Sequence, residues 1–210
     1  MIQTTVRGIV FDFDGTLTHP GAIDFGAIRR KIGCPEEQSI IHWIEEIRDA
    51  TRRTAALEIL LRAERDAAAA SVPRDGVEEF LAGLWDQGVP LAILTRNTRA
   101  SLTVAFDNFV RLRPEWFVPI ITREDPFPRK PEPEALIHIA ETWNVSPSAL
   151  LFVGDYRDDV ETARRAGVVS CWIVPPDGGP EPTVAPDFRC TTYGELADIV
   201  HDILEPPERR

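Results

Sequence analysis

Apolar residues follow one another along this chain in two rhythms, short unbroken runs and one-sided stripes, and the two alternate. Val6 to Phe11, interrupted at Arg7, is the first apolar run, followed by Leu91 to Leu94, Phe117 to Ile121, Leu150 to Val153, Val168 to Val174 and a short segment near Phe188. Runs of this length and composition read as strands buried on both faces. Between them, Val77, Phe80, Leu81, Leu84 and Trp85 recur at i, i+3, i+4, i+7 and i+8, predicting a helix with Asp75 placed to cap its start and Gly88 to end it. Further helices are predicted from Thr98, with Leu102, Ala105, Phe106 and Phe109 on one face, from Pro133 to about Asn144, from the fourth run to Gly167, and from Thr192 to Leu204. Alternating strands and helices predict an α/β fold, a Rossmann-like, doubly wound parallel sheet.

One region breaks the alternation. From about Ala22 to Ser71 the signals are helical throughout, including Ile40, Ile44 and Ile47 and then Leu57, Leu60 and Leu61. Roughly 50 residues is far more than one crossover between neighbouring strands needs. The stretch is therefore expected to be a small all-helical module inserted between the first two strands, placed like a lid.

Composition narrows the partners. At 210 residues the chain can bury a sizeable core, and its net charge of -11 opposes nonspecific binding to nucleic acid or anionic membrane. The N-terminus runs from Met1 through Thr5 into a strand without a signal-type core, so a cytoplasmic location is expected. Cys34, Cys171 and Cys190 form no C-x-x-C pair and read as buried free thiols. Trp43, Trp85, Trp116, Trp143 and Trp172 are tens of residues apart and read as core or half-exposed anchors.

The candidate chemistry lies just past the strands. In an open α/β sheet, ligands bind at the strands' carboxyl ends, near the point where strand order reverses. Asp12 and Asp14 follow the first run and meet Gly15; Thr95, Arg96 and Asn97 follow the second; Lys130 precedes the fourth; Asp155, Asp158 and Asp159 follow it. Asp12 and Asp14 can be read as a polar strand end turning at Asp-Gly, or as metal-site carboxylates; burying such a pair calls for a cation. The chain carries two lysines, Lys31 and Lys130, against 21 arginines (23 minus 2), which draws notice to Lys130.

Taken in order, Asp12-Phe13-Asp14-Gly15-Thr16, Ile93-Leu94-Thr95, Lys130 before Pro131, and Gly154-Asp155 through Asp159 resemble the four motifs of the haloacid dehalogenase superfamily of phosphohydrolases, in particular its phosphoglycolate-phosphatase-like members with a small helical cap. The resemblance implies a catalytic core of residues 1–18 and 74–210 and a cap of residues 19–73. It implies Asp12 as nucleophile, Asp14 as general acid and then base, and Thr95 and Lys130 as catalytic groups that hold phosphate, with Arg96 and Asn97 beside them. Mg²⁺ is the implied metal, held by the Asp12 side chain, the Asp14 carbonyl and Asp155, with Asp159 in support. Oxygen-only donors suit that ion, and each unit like-charge pair at 4 Å costs about 4 kcal/mol at an effective dielectric near 20 if left uncompensated.

The expected activity is hydrolysis of a small phosphorylated metabolite through an aspartyl-phosphate, the alternatives being a phosphomutase and, less favoured, a receiver-type signalling domain. Asp158, one residue off the family spacing, reads as solvated surface. Among the remaining residues, His19 reads as a loop histidine, and Arg48, Arg52 and Arg53 as a solvated helix face that also lies within reach of an anionic substrate.

Overall fold

The computed structural model describes residues 5–20, 23–176, 178 and 181–205. Among them, six parallel strands form one sheet: β1 (Gly8–Phe11), β2 (Leu91–Leu94), β3 (Phe117–Ile121), β4 (Leu150–Gly154), β5 (Val169–Ile173) and β6 (Phe188–Cys190). Their order is β3-β2-β1-β4-β5-β6. The chain steps outward from β1 to β3 and then returns to the other side of β1, so the order reverses between β1 and β4. In the central strands β1, β2 and β4 every residue is buried, which is why the sequence shows unbroken apolar runs there in place of alternation.

Helices cover both faces. One apolar cluster joins Ile9, Phe11, Leu91, Ile93, Leu151 and Val153 to helices α4 (Val77–Asp86), α5 (Arg99–Phe106) and α8 (Tyr193–Ile203). The other joins Val10, Ala92, Leu94 and Phe152 to α6 (Glu134–Thr142) and α7 (Arg157–Ala166). Alternate residues of one strand thus feed opposite clusters, as a period of two requires.

Between β1 and α4 lie three further helices, α1 (Phe25–Ile32), α2 (Ile40–Glu46) and α3 (Ala50–Ala70). They enclose a cluster of their own, Ile28, Ile32, Cys34, Ile40, Ile44, Ala56 and Leu60. Asp24 and Asp49 cap α1 and α3 by accepting from Ala27 and Arg52 amides. At 21 residues α3 is about 30 Å long, enough to run from that cluster to the core. There the Asn108 side chain donates to Ala68 O (2.9 Å) and Ser71 Oγ (3.0 Å).

Three local expectations need correction. Gly76, in the left-handed region at φ 79°, starts α4, while Asp75 makes no cap and sits 3.7 Å from His19. The α5 helix stops at Phe106, so Phe109 reaches the same core from the following turn. Pro133 precedes the first helical residue, Glu134. All three cysteines are free and buried, Cys171 and Cys190 lying 3.7 Å apart on adjacent strands. At the amino ends of β2 and β3, Trp85 stacks on Trp116 (5.5 Å between centroids) and both share a cavity of about 350 Å³ with Trp143. That cavity lies at the opposite end of the strands from the polar residues past them.

Candidate active site

Asp12 is the first residue beyond β1, and its amide still pairs with Val153 O of β4 (2.9 Å). Asp155 is the first residue beyond β4. The two therefore flank the point where strand order reverses, where an open α/β sheet has its crevice. Asp159 enters from the first turn of α7. Asp12, Asp155 and Asp159 each bring a carboxylate oxygen within 4.8 Å of the others.

Lys130 is sunk among them. Its ammonium donates to Asp12 Oδ1 (2.6 Å), Asp159 Oδ1 (2.6 Å) and Leu94 O (3.3 Å). Burial alone would drive off its proton, but the Asp12 and Asp159 charges outweigh that and raise its pKa, so it stays an ammonium. One cation does not balance three carboxylates. Asp155 is pushed up to about 8, by burial first and then by the Asp12 and Asp159 charges. Asp159 is pushed up to about 6 by burial, with Lys130 opposing. The Asp159 carboxylate also accepts from the Tyr156 amide (3.0 Å), and Trp172 Nε1 holds the Asp155 carbonyl (2.8 Å).

Asp14 is exposed as a residue, yet desolvation of its carboxyl raises its pKa, with the Asn97 side chain and Lys130 opposing and the charge of Glu64 adding to the rise. An acid that holds its proton more readily than usual is what a general acid requires. Gly15, at φ 77°, must be glycine for a second reason, because a Cβ there would overlap the Asp155 carboxylate. Thr95 is buried past β2; its amide donates to Ile121 O (3.0 Å) and its Oγ1 accepts from the Asn97 amide (3.1 Å), which leaves the hydroxyl hydrogen available.

A model of haloacid dehalogenase-like hydrolases matches residues 6–167, a span that begins before Asp12 and ends after Asp159. The chain belongs to the haloacid dehalogenase-like hydrolases. Among curated relatives, this hydrolase is 31% identical to a phosphoglycolate phosphatase of Pectobacterium atrosepticum over 192 residues, covering 78% of each chain. It is 29% identical to a haloacid dehalogenase-like hydrolase domain-containing protein of Arabidopsis thaliana over 215 residues, 94% of this chain and 85% of that one. Of solved structures, a hydrolase from Pseudomonas syringae superposes with a TM-score of 0.77 at 17% identity, covering 95% of this chain and 100% of the other, which speaks to the fold.

One expectation, that for Asp158, needs correction in this hydrolase. Arg96 donates to Asp158 and to Lys130 O (2.6 Å), so it braces the loop carrying Lys130 against α7. Asp158 is correspondingly not solvated surface; its side chain is 23% exposed and engaged by both Arg96 and Arg157. Arg48, Arg52 and Arg53 are exposed, the last donating to Ile47 O (3.2 Å).

Three anchors escape any reading of the sequence. Buried Arg74 donates to Gly15 O (2.7 Å) and Val174 O (2.9 Å), and the Tyr193 hydroxyl donates to Thr16 O (2.9 Å), so together they fix the turn carrying Asp14. Glu64 of α3, 8% exposed, accepts two bonds from Arg123 just past β3 (2.6 and 2.8 Å). Their partners lie 59 to 177 residues away, and no local pattern marks them.

Proposed function

We propose that this hydrolase is a Mg²⁺-dependent phosphatase acting on a small phosphate monoester through a phosphorylated Asp12. The observation that carries the reading is Lys130 held between Asp12 and Asp159, with the Asp155 carboxyl forced up to about 8 beside them. Such a site lacks positive charge and offers only hard oxygen donors, which suits Mg²⁺. The Asp12 and Asp155 side chains with the Asp14 carbonyl would hold it, Asp159 supporting from behind. Bound there, the ion would offset the repulsion between phosphate and carboxylates.

In the proposed sequence Lys130 orients the Asp12 carboxylate, and Thr95 with Asn97 holds the phosphoryl oxygens. An Asp12 oxygen attacks phosphorus, the bond to the ester oxygen breaks, and Asp14 gives that oxygen its proton. Water then attacks phosphorus, Asp14 takes up the water's proton, and the Asp12–phosphorus bond breaks to release phosphate. Residues 1–18 and 74–210 form the catalytic core in this reading, and residues 19–73 the cap that closes over it. The relatives that share this family include phosphoglycolate phosphatases, which supports phosphomonoester chemistry.

The test is phosphate release from p-nitrophenyl phosphate and a panel of sugar and polyol phosphates, with Mg²⁺ and with excess EDTA. Turnover that needs Mg²⁺ and liberates phosphate is the expected result. Isomerised sugar phosphate without free phosphate would replace hydrolase with mutase, and a long-lived phosphorylated protein without turnover would point to signalling.

A further inference from the structure

Four cations border a small cavity beside the reaction centre, and each is already held by a carboxylate. Arg96 is paired with Asp158, Lys130 with Asp12 and Asp159, Arg123 with Glu64, and Arg129 with Glu45 (3.4 Å). Two of these carboxylates, Glu45 on α2 and Glu64 on α3, come from the helical insertion, while both of their arginines lie on the loop between β3 and Lys130. The insertion thus lays negative charge over the core's positive rim. Arg123 lines this cavity together with Thr95 and Lys130, so Glu64, bound to its guanidinium, stands at the wall that a leaving group would pass.

We infer that Glu64 and Glu45 act as an anion filter, restricting this hydrolase to phosphate monoesters whose alcohol part carries no negative charge. The inference rests on the phosphatase reading above. A second anion on the leaving group would meet Glu64 without a spare guanidinium, and juxtaposed like charges are a strong means of rejection. A hydroxyl can donate to the carboxylate and accept from the guanidinium. Selection of this kind differs from what a carboxylate-bearing ester such as phosphoglycolate would need.

The experiment measures competition with p-nitrophenyl phosphate hydrolysis by glycerol 3-phosphate and by 3-phosphoglycerate, which differ by a hydroxymethyl group replaced with a carboxylate. Glycerol 3-phosphate is expected to compete at least about tenfold more strongly. Glu64→Gln should narrow that ratio about tenfold in favour of 3-phosphoglycerate, and Glu45→Gln, at an exposed pair that does not threaten folding, should narrow it less. Because a ratio of inhibition constants is independent of the fraction folded, partial unfolding of Glu64→Gln cannot mimic the shift. Equal or stronger competition by 3-phosphoglycerate on the unmodified protein, or a ratio unmoved in both variants, would overturn the filter and leave the pairs as braces. Loss of p-nitrophenyl phosphate hydrolysis by the unmodified protein would instead remove the phosphatase reading itself.

Discussion

Asp155 is the residue whose replacement should separate stability from activity most cleanly. Its carboxyl rises from 3.8 to about 8 in the folded protein, so without metal the folded state binds a proton there that the unfolded chain gives up near pH 4. Where the folded state binds more protons, stability falls as pH rises. The loss begins near pH 4 and is complete near pH 8, and at 1.36 kcal/mol per unit it amounts to on the order of 5 kcal/mol. That is a large share of the roughly 5–15 kcal/mol that holds a typical domain together. Mg²⁺ at a hundred times its dissociation constant restores about 2.7 kcal/mol, which for a chain of this size is about 5–10 °C of melting temperature.

Thermal unfolding at pH 5 and pH 8, with Mg²⁺ and with EDTA, reads this directly. The expected pattern is a metal-free protein that melts lower at pH 8 than at pH 5, and a Mg²⁺ effect that is larger at pH 8, because at pH 5 the ion must displace a proton. Asp155→Asn should raise the metal-free melting temperature at pH 8, abolish the Mg²⁺ response and abolish turnover. A variant that melts lower than the unmodified protein without metal, yet still responds to Mg²⁺, would refute the charge argument.

Other expectations follow from the same site. Asp12→Ala should lower kcat by several orders of magnitude with native circular dichroism, and survival of a tenth of the activity would contradict covalent chemistry. Lys130→Met leaves Asp12 and Asp159 facing each other without their cation, so urea unfolding should show a loss of about 3–5 kcal/mol; a loss under about 1 kcal/mol would mean the ammonium is not their counterion. Ca²⁺ should stabilise the protein as Mg²⁺ does but inhibit turnover, since its looser, higher coordination does not reproduce octahedral geometry; equal rates with both ions would sink that proposal.

How much of this was legible in the chain depends on how far each residue reaches. The central strands announced themselves because both their faces are buried, so Leu91–Leu94 is bounded as its apolar run suggests; Phe117–Ile121 is bounded likewise, although it lies at the edge of the sheet with Val118 exposed. The helical insertion was visible as missing strand signals. Asp12, Lys130, Asp155 and Asp159 were found because each sits at a strand end or in a short spaced motif, and the structure brings all four together. Asp75 misled because the left-handed Gly76 starts the helix in its place. Arg74, Tyr193 and the Glu64–Arg123 pair were silent because what defines them is a partner distant in sequence. A lone buried glutamate on the long helix α3 looks, in sequence, like any other charge on its solvent face.

The central claim is that phosphorus passes through Asp12. An Asp14→Asn variant lacks the base that activates water, whereas p-nitrophenolate departs without needing a proton, so phosphorylation proceeds and dephosphorylation stalls. Mixing that variant with p-nitrophenyl phosphate and Mg²⁺, quenching in acid and weighing the peptide fragments should show one added phosphoryl group on the fragment containing Asp12. The same variant releasing a burst of p-nitrophenolate with no mass added to that fragment would contradict the account.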